Sequence, residues 1–437
     1  MTRESTSTTP DRAATGQGGP DRLSLLRSPL IRIMLGNLGV AQMLYISLLV
    51  LLPAQSTRIG GTAHKTTVLA VAAGVGAVVA LVAAVGAGHV SDRLLTARGS
   101  RGSVLTAGAV IGAVLLPVVP LTDSLGELVA VWCVVQVGLN GVLSVVTAAL
   151  ADWFGVERRG VASAYAALGQ VLGAMAASAL VIVAGSHPGA VGLTGGVLFL
   201  VTVLPMNLAP ARNAASPAEL PSTSSSRQQE QQPAVAATPE SPSPRREWQN
   251  PYTDVTLAWL VRFVVTFSNT LVITYLDYYV TDVLHPANPQ RLIGLAAGLT
   301  SLMVAAGAVA AGRLSDRSGR RRPFVLASVV LMCVGELFLA GWHTVPSAFC
   351  AAVLVGLGYG VYLSVDQALS ADVLPLASAY GRDFGIMNTA TSAPQIVAPV
   401  VAALLLGSSK DYTTLFGVGA VAALSAIGFV APIRRVR

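Results

Sequence analysis

Runs of roughly 20 apolar residues, the length of helix that crosses the hydrocarbon core of a bilayer, recur twelve times along this chain. They fall near 30–52, 66–88, 103–121, 127–150, 160–184 and 189–208, and again near 255–280, 291–312, 323–342, 346–370, 384–407 and 412–433. Hydrocarbon offers no partner to an unpaired amide or carbonyl, so each run has to be helical. With 53% hydrophobic and 11% charged residues in 437, against about 25% charged in a typical soluble domain, a water-soluble fold is excluded. The expected fold class is an all-α membrane protein with twelve transmembrane helices.

Basic residues set the expected orientation. If the amino terminus is inside, the opposite side of the membrane holds only Arg58, Lys65, Arg291 and Lys410, and Arg262 lies within a span. The rest of the 28 lysines and arginines then fall on the cytoplasmic side, and so do both termini. The net charge of +7 is scattered over short loops on one face, so topology explains it and no nucleic-acid partner is expected. Residues 1–29 are rich in Ser, Thr and Pro and lack the apolar core of a cleavable signal, so insertion should use the first span. Cys133, Cys333 and Cys350 fall in spans without metal-ligand spacing and read as packing residues; no metal and no cofactor is expected.

Two features divide the chain. Ala209 to Asp254 is filled with Ser, Pro, Gln and Ala and lacks hydrophobic periodicity, as a disordered linker does. The expected organisation is a disordered cytoplasmic stretch 1–29, a six-helix bundle 30–208, the cytoplasmic linker 209–254, a second six-helix bundle 255–433 and a tail 434–437. At an offset of 220, Gly138, Leu143, Ser144, Val145, Ala148, Ala151 and Asp152 meet Gly358, Leu363, Ser364, Val365, Ala368, Ala371 and Asp372. The second feature is a signature: GHVSDR at Gly88–Arg93 and GRLSDR at Gly312–Arg317, each where an apolar run ends. Ser, Asp and Arg are costly inside a bilayer, so both blocks are expected as turns joining successive spans. Six is even, so both halves enter from the same side and form a parallel repeat.

Two six-span halves, a long central loop and the GxxSDR block after spans 2 and 8 resemble the major facilitator superfamily over essentially the whole chain. Gly312–Phe324 (GRLSDRSGRRRPF), Gly358–Pro375 and Phe384–Pro399 resemble actinobacterial members near the sucrose carriers and the glycoside, pentoside and hexuronide symporters. The resemblance implies a rocker-switch carrier in a bacterial cell membrane, with spans 1, 4, 7 and 10 lining a central cavity. It also implies that Asp92, Arg93, Asp316, Arg317, Arg320 and Arg321 gather where the halves meet and latch the outward-facing state. A topogenic basic loop would explain the arginines, but not an aspartate at the same site twice.

Charges and polar residues inside spans are the candidates for transport itself. Arg262 lies eight residues after Asp254 and Asp366 six before Asp372, so their depths match at about 12 and 9 Å. They either pair or share a substrate, and a purely structural ion pair is the competing explanation. Arg262 and Asn269 on span 7, Tyr359, Tyr362 and Asp366 on span 10, Gln136 and Asn140 on span 4, and Asn37 on span 1 form polar stripes at helical spacing. Any one amide is more often an interhelical bond; together they suggest a wet cavity. Asp277 sits beside Tyr275, Tyr278 and Tyr279, where an interfacial aromatic belt would account for the rings. Glu336 ranks below Asp366 as a proton carrier. Gly169 and Gly173 on span 5, and Gly294 and Gly298 on span 8, form GxxxG motifs for close helix packing, and in the resembling family these spans touch across the halves.

The expected function is secondary transport of a small organic solute, with protons as the coupling ion, by a monomeric chain in the lipid bilayer. Melibiose-type symporters of the resembling branch place acids within spans 2 and 4 for the cation. Here, apart from Glu127 at the start of span 4, those spans carry none before the terminal Asp92 and Asp152, which disfavours cation-coupled sugar uptake without removing it. A non-transporting sensor or scaffold is the alternative from another class. No Walker A, HExxH or GxSxG sequence is present, so neither an ATP motor nor an enzyme is expected. Asp316→Asn should weaken cytoplasmic closure, and Asp366→Asn should abolish coupling or binding. Flux and cysteine accessibility check both, and no change in either variant would refute these roles.

Overall fold

The computed structural model describes residues 28–154, 158–208, 252–318, 320–373, 380–406 and 411–432. Among them are twelve α-helices and no strand. In chain order these are α1 Pro29–Ile46, α2 Leu52–Arg98, α3 Gly102–Leu115, α4 Leu125–Trp153, α5 Arg159–Ala184 and α6 Pro188–Val203. The second set is α7 Tyr252–Tyr279, α8 Pro289–Ser318, α9 Arg322–Gly341, α10 Val345–Val373, α11 Tyr380–Leu406 and α12 Tyr412–Val430. The linker expected over 209–254 is shorter at its end, because Tyr252 already begins α7. The rest of that linker and the amino-terminal stretch lie outside the described residues.

By length and hydropathy the described chain holds 11 candidate spans, because Pro29–Ala97 runs as one helical stretch of 69 residues. A straight helix of that length would measure about 100 Å, over three times the hydrocarbon core. The stretch is not straight. Gly61 has φ 57° and ψ −166°, a conformation that needs glycine, and a Cβ on Gly60 would lie 2.8 Å from the Lys65 amide. The Tyr278 hydroxyl sits 3.2 Å from the Pro53 carbonyl and 3.3 Å from that of Lys65. Those two oxygens would be about 18 Å apart on an unbroken helix, so the chain doubles back at Gly61.

The repeat is structural as well as sequential. Helices α4 and α10 are both 29 residues long, and their bounds, Leu125–Trp153 and Val345–Val373, differ by the same 220 that aligns the sequences. A Cβ on Gly138 would lie 2.8 Å from the Gly108 carbonyl of α3, and one on Gly358 would lie 2.7 Å from the Ser328 carbonyl of α9. The same helix contact is therefore made twice. The first helix of each half also ends in a π-helical turn, Ser47–Leu51 after α1 and Val280–Leu284 after α7. The start of α1 and the last residues of α2, α4, α6, α8, α10 and α12 lie at one end of the bundle, the terminal end; Gly61 and the last residues of α3, α5, α7, α9 and α11 lie at the other, the distal end.

The GxxSDR blocks are not turns. Gly88–Arg93 lies within α2, which continues to Arg98 and stops at Gly99 in the left-handed region (φ 68°), and Gly312–Arg317 lies within α8. A helix carries polar residues beyond the hydrocarbon at no backbone cost, so the signature extends the helices into the interface. Other ends are capped by side chains: Ser124 accepts from the Glu127 amide at 3.3 Å while Glu127 accepts from the Asp123 amide at 2.8 Å, a reciprocal cap on α4. Asp411 caps α12, and the hydroxyl and amide of Thr414 hold its carboxyl below the usual carboxylate range.

Large apolar side chains cover the outside, Val183 at 83% and Leu404 at 79% exposure among them, as a lipid-facing surface requires. Lipid is as apolar as leucine, so close approach of small residues holds such helices together. A Cβ on Gly169 would collide with the Met34 carbonyl and one on Gly173 with the Leu38 carbonyl, which places both against α1 in the same half. This pair therefore packs within its own half, and the contact of span 5 with span 8 is made elsewhere along it. The α8 pair does cross: a Cβ on Gly294 would lie 2.8 Å from the Ser178 carbonyl of α5, while Gly298 has ordinary contact with the Ser178 side chain. Replacing Gly173 with Leu should cost about 1–3 kcal/mol and lower the melting temperature in detergent, measured by fluorescence scanning. Gly428→Leu, with open space at its Cβ, should leave it unchanged.

Candidate functional site

Helix α7 carries the polar residues that matter most, at both of its ends. Toward the terminal end, Arg262 is 2% exposed and Asp366 of α10 is 5% exposed. Arg262 Nε donates to Asp366 Oδ1 at 3.0 Å and Nη2 donates to Oδ2 at 2.5 Å, a two-pronged pair. Nη1 donates to the Met387 carbonyl of α11 at 3.3 Å, and the Tyr362 hydroxyl donates to Asp366 Oδ1 at 2.6 Å. Tyr359 stacks on Tyr362 with ring centroids 6.5 Å apart. One guanidinium thus ties three helices, and the matched depth read from the sequence is a direct pair.

The remaining cavity candidates do not join this cluster. Asn37 donates to the Ile33 carbonyl at 2.9 Å and accepts from Gln170 of α5 at 3.3 Å, which is interhelical packing. Asn140 donates back to the Gln136 carbonyl at 2.9 Å, and Ser144 bridges to the Ala84 carbonyl of α2 at 3.1 Å. Gln136 and Asn269 are buried at 6% and 7% exposure. Across the centre, Tyr45 of α1 lies within electrostatic reach of Tyr359. Glu336, wholly buried, accepts from Ser268 of α7 and presents its other oxygen to Gly419 of α12. It faces a neighbouring helix.

At the distal end a second cluster joins the two halves. Lys65 Nζ of α2 pairs with Asp282 Oδ1 at 2.5 Å and lies 4.5 Å over the Tyr278 ring. Tyr412 of α12 donates to Asp282 Oδ2 at 2.7 Å. Tyr278 bonds the carbonyls flanking the Gly61 reversal, and Gln290 of α8 donates to Asp277 at 3.4 Å. The three tyrosines expected in an interfacial belt are instead at the interior: Tyr275 and Tyr279 are 0% exposed and Tyr278 1%. The belt reading is corrected because all three rings are buried among protein, with Tyr275 donating to the Pro399 carbonyl and Tyr278 to those of Pro53 and Lys65. The sequence signal that could have revealed this cluster is Lys65, one of only four basic residues on the side where the bias otherwise removes them.

At the terminal end, the first signature block forms a network inside its own half. Arg101 donates to Asp92 at 2.6 Å, to Ser91 at 2.9 Å and to Asp152 of α4 at 2.8 Å. The organising cation is Arg101, ten residues past Ser91, while Arg93 is exposed. In the second block Arg317 and Arg320 are exposed and Arg321 is half-buried; the side chain of Asp316 lies outside the described residues.

The Major Facilitator Superfamily model matches residues 33–286 and 258–437, so this chain belongs to that family. Among curated relatives, an MFS transporter of Aspergillus flavus is 25% identical over 39% of this chain and 40% of its own length. Myo-inositol transporter 1 of Cryptococcus neoformans is 31% identical over 30% of this chain and 23% of its own. The chain therefore aligns with less than half the length of either. Among solved structures, a POT family peptide transporter in complex with sulfate has a TM-score of 0.66 at 14% identity, covering 95% of this chain and 98% of that one. A bacterial homologue of the human lysosomal transporter Spinster has 0.61 at 12%, covering 94% and 95%. At such identities the likeness is one of fold.

Removing one partner of a buried ion pair strands the other charge. Asp366→Ala should destabilise the protein by about 3–5 kcal/mol, whereas Arg262→Met with Asp366→Leu should recover most of that loss. Thermal unfolding of the purified variants in detergent measures both.

Proposed function

We propose that this protein is a secondary transporter that moves a small organic solute by alternating access, with protons as the coupling ion. The observation that carries the reading is an asymmetry of the polar links seen among the described residues. At the distal end, Lys65 of the first half pairs with Asp282 of the second, whereas at the terminal end Arg101 pairs with Asp92 and Asp152 inside one half. Two similar bundles joined by ionic contacts at one end are one state of a rocker switch, and such contacts cost little to exchange for others. Both termini are cytoplasmic in this reading, so the state is closed to the outside. Twelve spans follow from dividing the first apolar stretch at Gly61, and the chain acts as a monomer in a bacterial cell membrane.

Arg262, Asp366, Tyr362 and Tyr359 form the coupling site. A carboxylate held by a guanidinium and a phenol can trade those partners for a proton or for a solute's polar groups. Asp92, Arg93, Asp316, Arg317, Arg320 and Arg321 serve the closure at the terminal end, with Arg101 as an added member. A sugar or polyol symporter near the sucrose-carrier branch is the second reading, favoured by the match to a myo-inositol transporter.

Purified protein in liposomes, screened against a broad panel of metabolites and drugs, should show solute-dependent proton flux. Arg262→Lys keeps the charge but loses the two-pronged geometry, and it should reduce that flux at least about tenfold. Absence of flux with every solute would favour a membrane sensor or scaffold, and flux unaffected by Arg262→Lys would remove the pair from the coupling site.

A further inference from the structure

The surface of the first half carries a groove of about 600 Å³ between α2, α3 and α4 that none of the transport residues enters. Its floor is the contact where Gly108 and Gly138 bring α3 and α4 together, each glycine's Cβ position lying within 3 Å of the other's carbonyl. Helix α2 leans against α4 through Ser144 and the Ala84 carbonyl, and it diverges from α3. Two glycines in the lining, Gly86 and Gly141, have nothing within 4 Å of a Cβ, in contrast to the packing glycines Gly169 and Gly173. They serve no helix contact; they keep a hollow open, and Gly141 does so while itself buried.

The lining is hydrocarbon, with Val82 and Val90 exposed at 67% and 50%. Along α2 it runs from Val78 to Val90, which is about 18 Å, slightly more than half the hydrocarbon thickness of about 30 Å. The groove therefore occupies one leaflet, the one at the terminal end. Arg93 follows Val90 by three residues on the same helix face and is exposed at the mouth, while Arg101 is already engaged by Asp92 and Asp152. An apolar slot one leaflet deep with an exposed cation at its interfacial end matches one acyl tail of an amphiphile that has an anionic head.

We propose that this groove holds an acyl chain of an anionic phospholipid, with its phosphate on Arg93. The lipid wedges α2 away from α3 and places a negative charge beside the Asp92–Arg101–Asp152 network. It is tested on the full-length protein, delipidated in detergent, with phosphatidylglycerol or phosphatidylcholine added back and retained lipid counted by native mass spectrometry. Wild type should retain one phosphatidylglycerol in preference to phosphatidylcholine by about fivefold, the worth of one basic residue at a membrane surface. Arg93→Gln should erase that preference. Gly141→Leu and Gly86→Leu, which fill the slot, should lose the retained lipid while eluting as folded protein, and Val201→Leu, an exposed apolar site elsewhere, should keep it. Should Gly141→Leu fail to fold, exposed Gly86 still carries the test. Equal retention by wild type and the filled variants, or equal retention of the two lipids by wild type, would overturn the proposal.

Discussion

A guanidinium cannot sit alone in hydrocarbon, and this requirement organises the second half of the molecule. Arg262 is satisfied by two oxygens of Asp366 and one carbonyl of α11, so three helices are fixed by a single side chain. Its carboxylate partner is in turn bonded by Tyr362. The helix that carries Arg262 reaches Asp282 twenty residues, or about 30 Å, further on, where the pairing crosses to the first half. One continuous element, α7 with its π-helical end, therefore joins a pair internal to one bundle to a pair between bundles. π-helical turns inside longer helices occur often at functional sites, and here one supplies Asp282 itself.

Much of this architecture was legible in the residues. Hydrophobic length gave the spans, and the offset of 220 that aligns Gly138 with Gly358 also aligns the bounds of α4 and α10 and the glycine contacts they make. Equal depth was enough to bring Arg262 to Asp366. What stayed hidden was partner choice across long separations. Lys65 and Asp282 are 217 residues apart, and each looked like an ordinary residue near a loop. Tyrosines at a helix end look the same whether they face headgroups or a neighbouring bundle, so Tyr275, Tyr278 and Tyr279 read as a belt. Likewise a GxxxG pair announces close packing without naming its partner, and Gly169 and Gly173 chose α1. The signature blocks read as turns because their polarity excludes hydrocarbon, but polarity alone does not end a helix.

The two ends of the molecule differ in how their charges are spent. Distally, an ammonium, a carboxylate and two phenols draw the halves together around the Gly61 reversal. At the terminal end, Arg101 is held within the first bundle by Asp92 and Asp152; in the proposed alternating-access cycle this is the network that would change partners. Small energies suffice: a state favoured by a few kcal/mol is reversed by a ligand that prefers the other by the same amount.

Distance measurement across the distal end tests alternating closure most directly. Spin labels at His64→Cys and Ala287→Cys, in a chain whose Cys133, Cys333 and Cys350 are replaced by Ala, report the separation of the halves by pulsed electron paramagnetic resonance. The parent should show one narrow short-distance population, and Asp282→Asn should add a second, longer one. A distribution that is unchanged by both Asp282→Asn and Lys65→Ala would contradict a distal gate held by this pair.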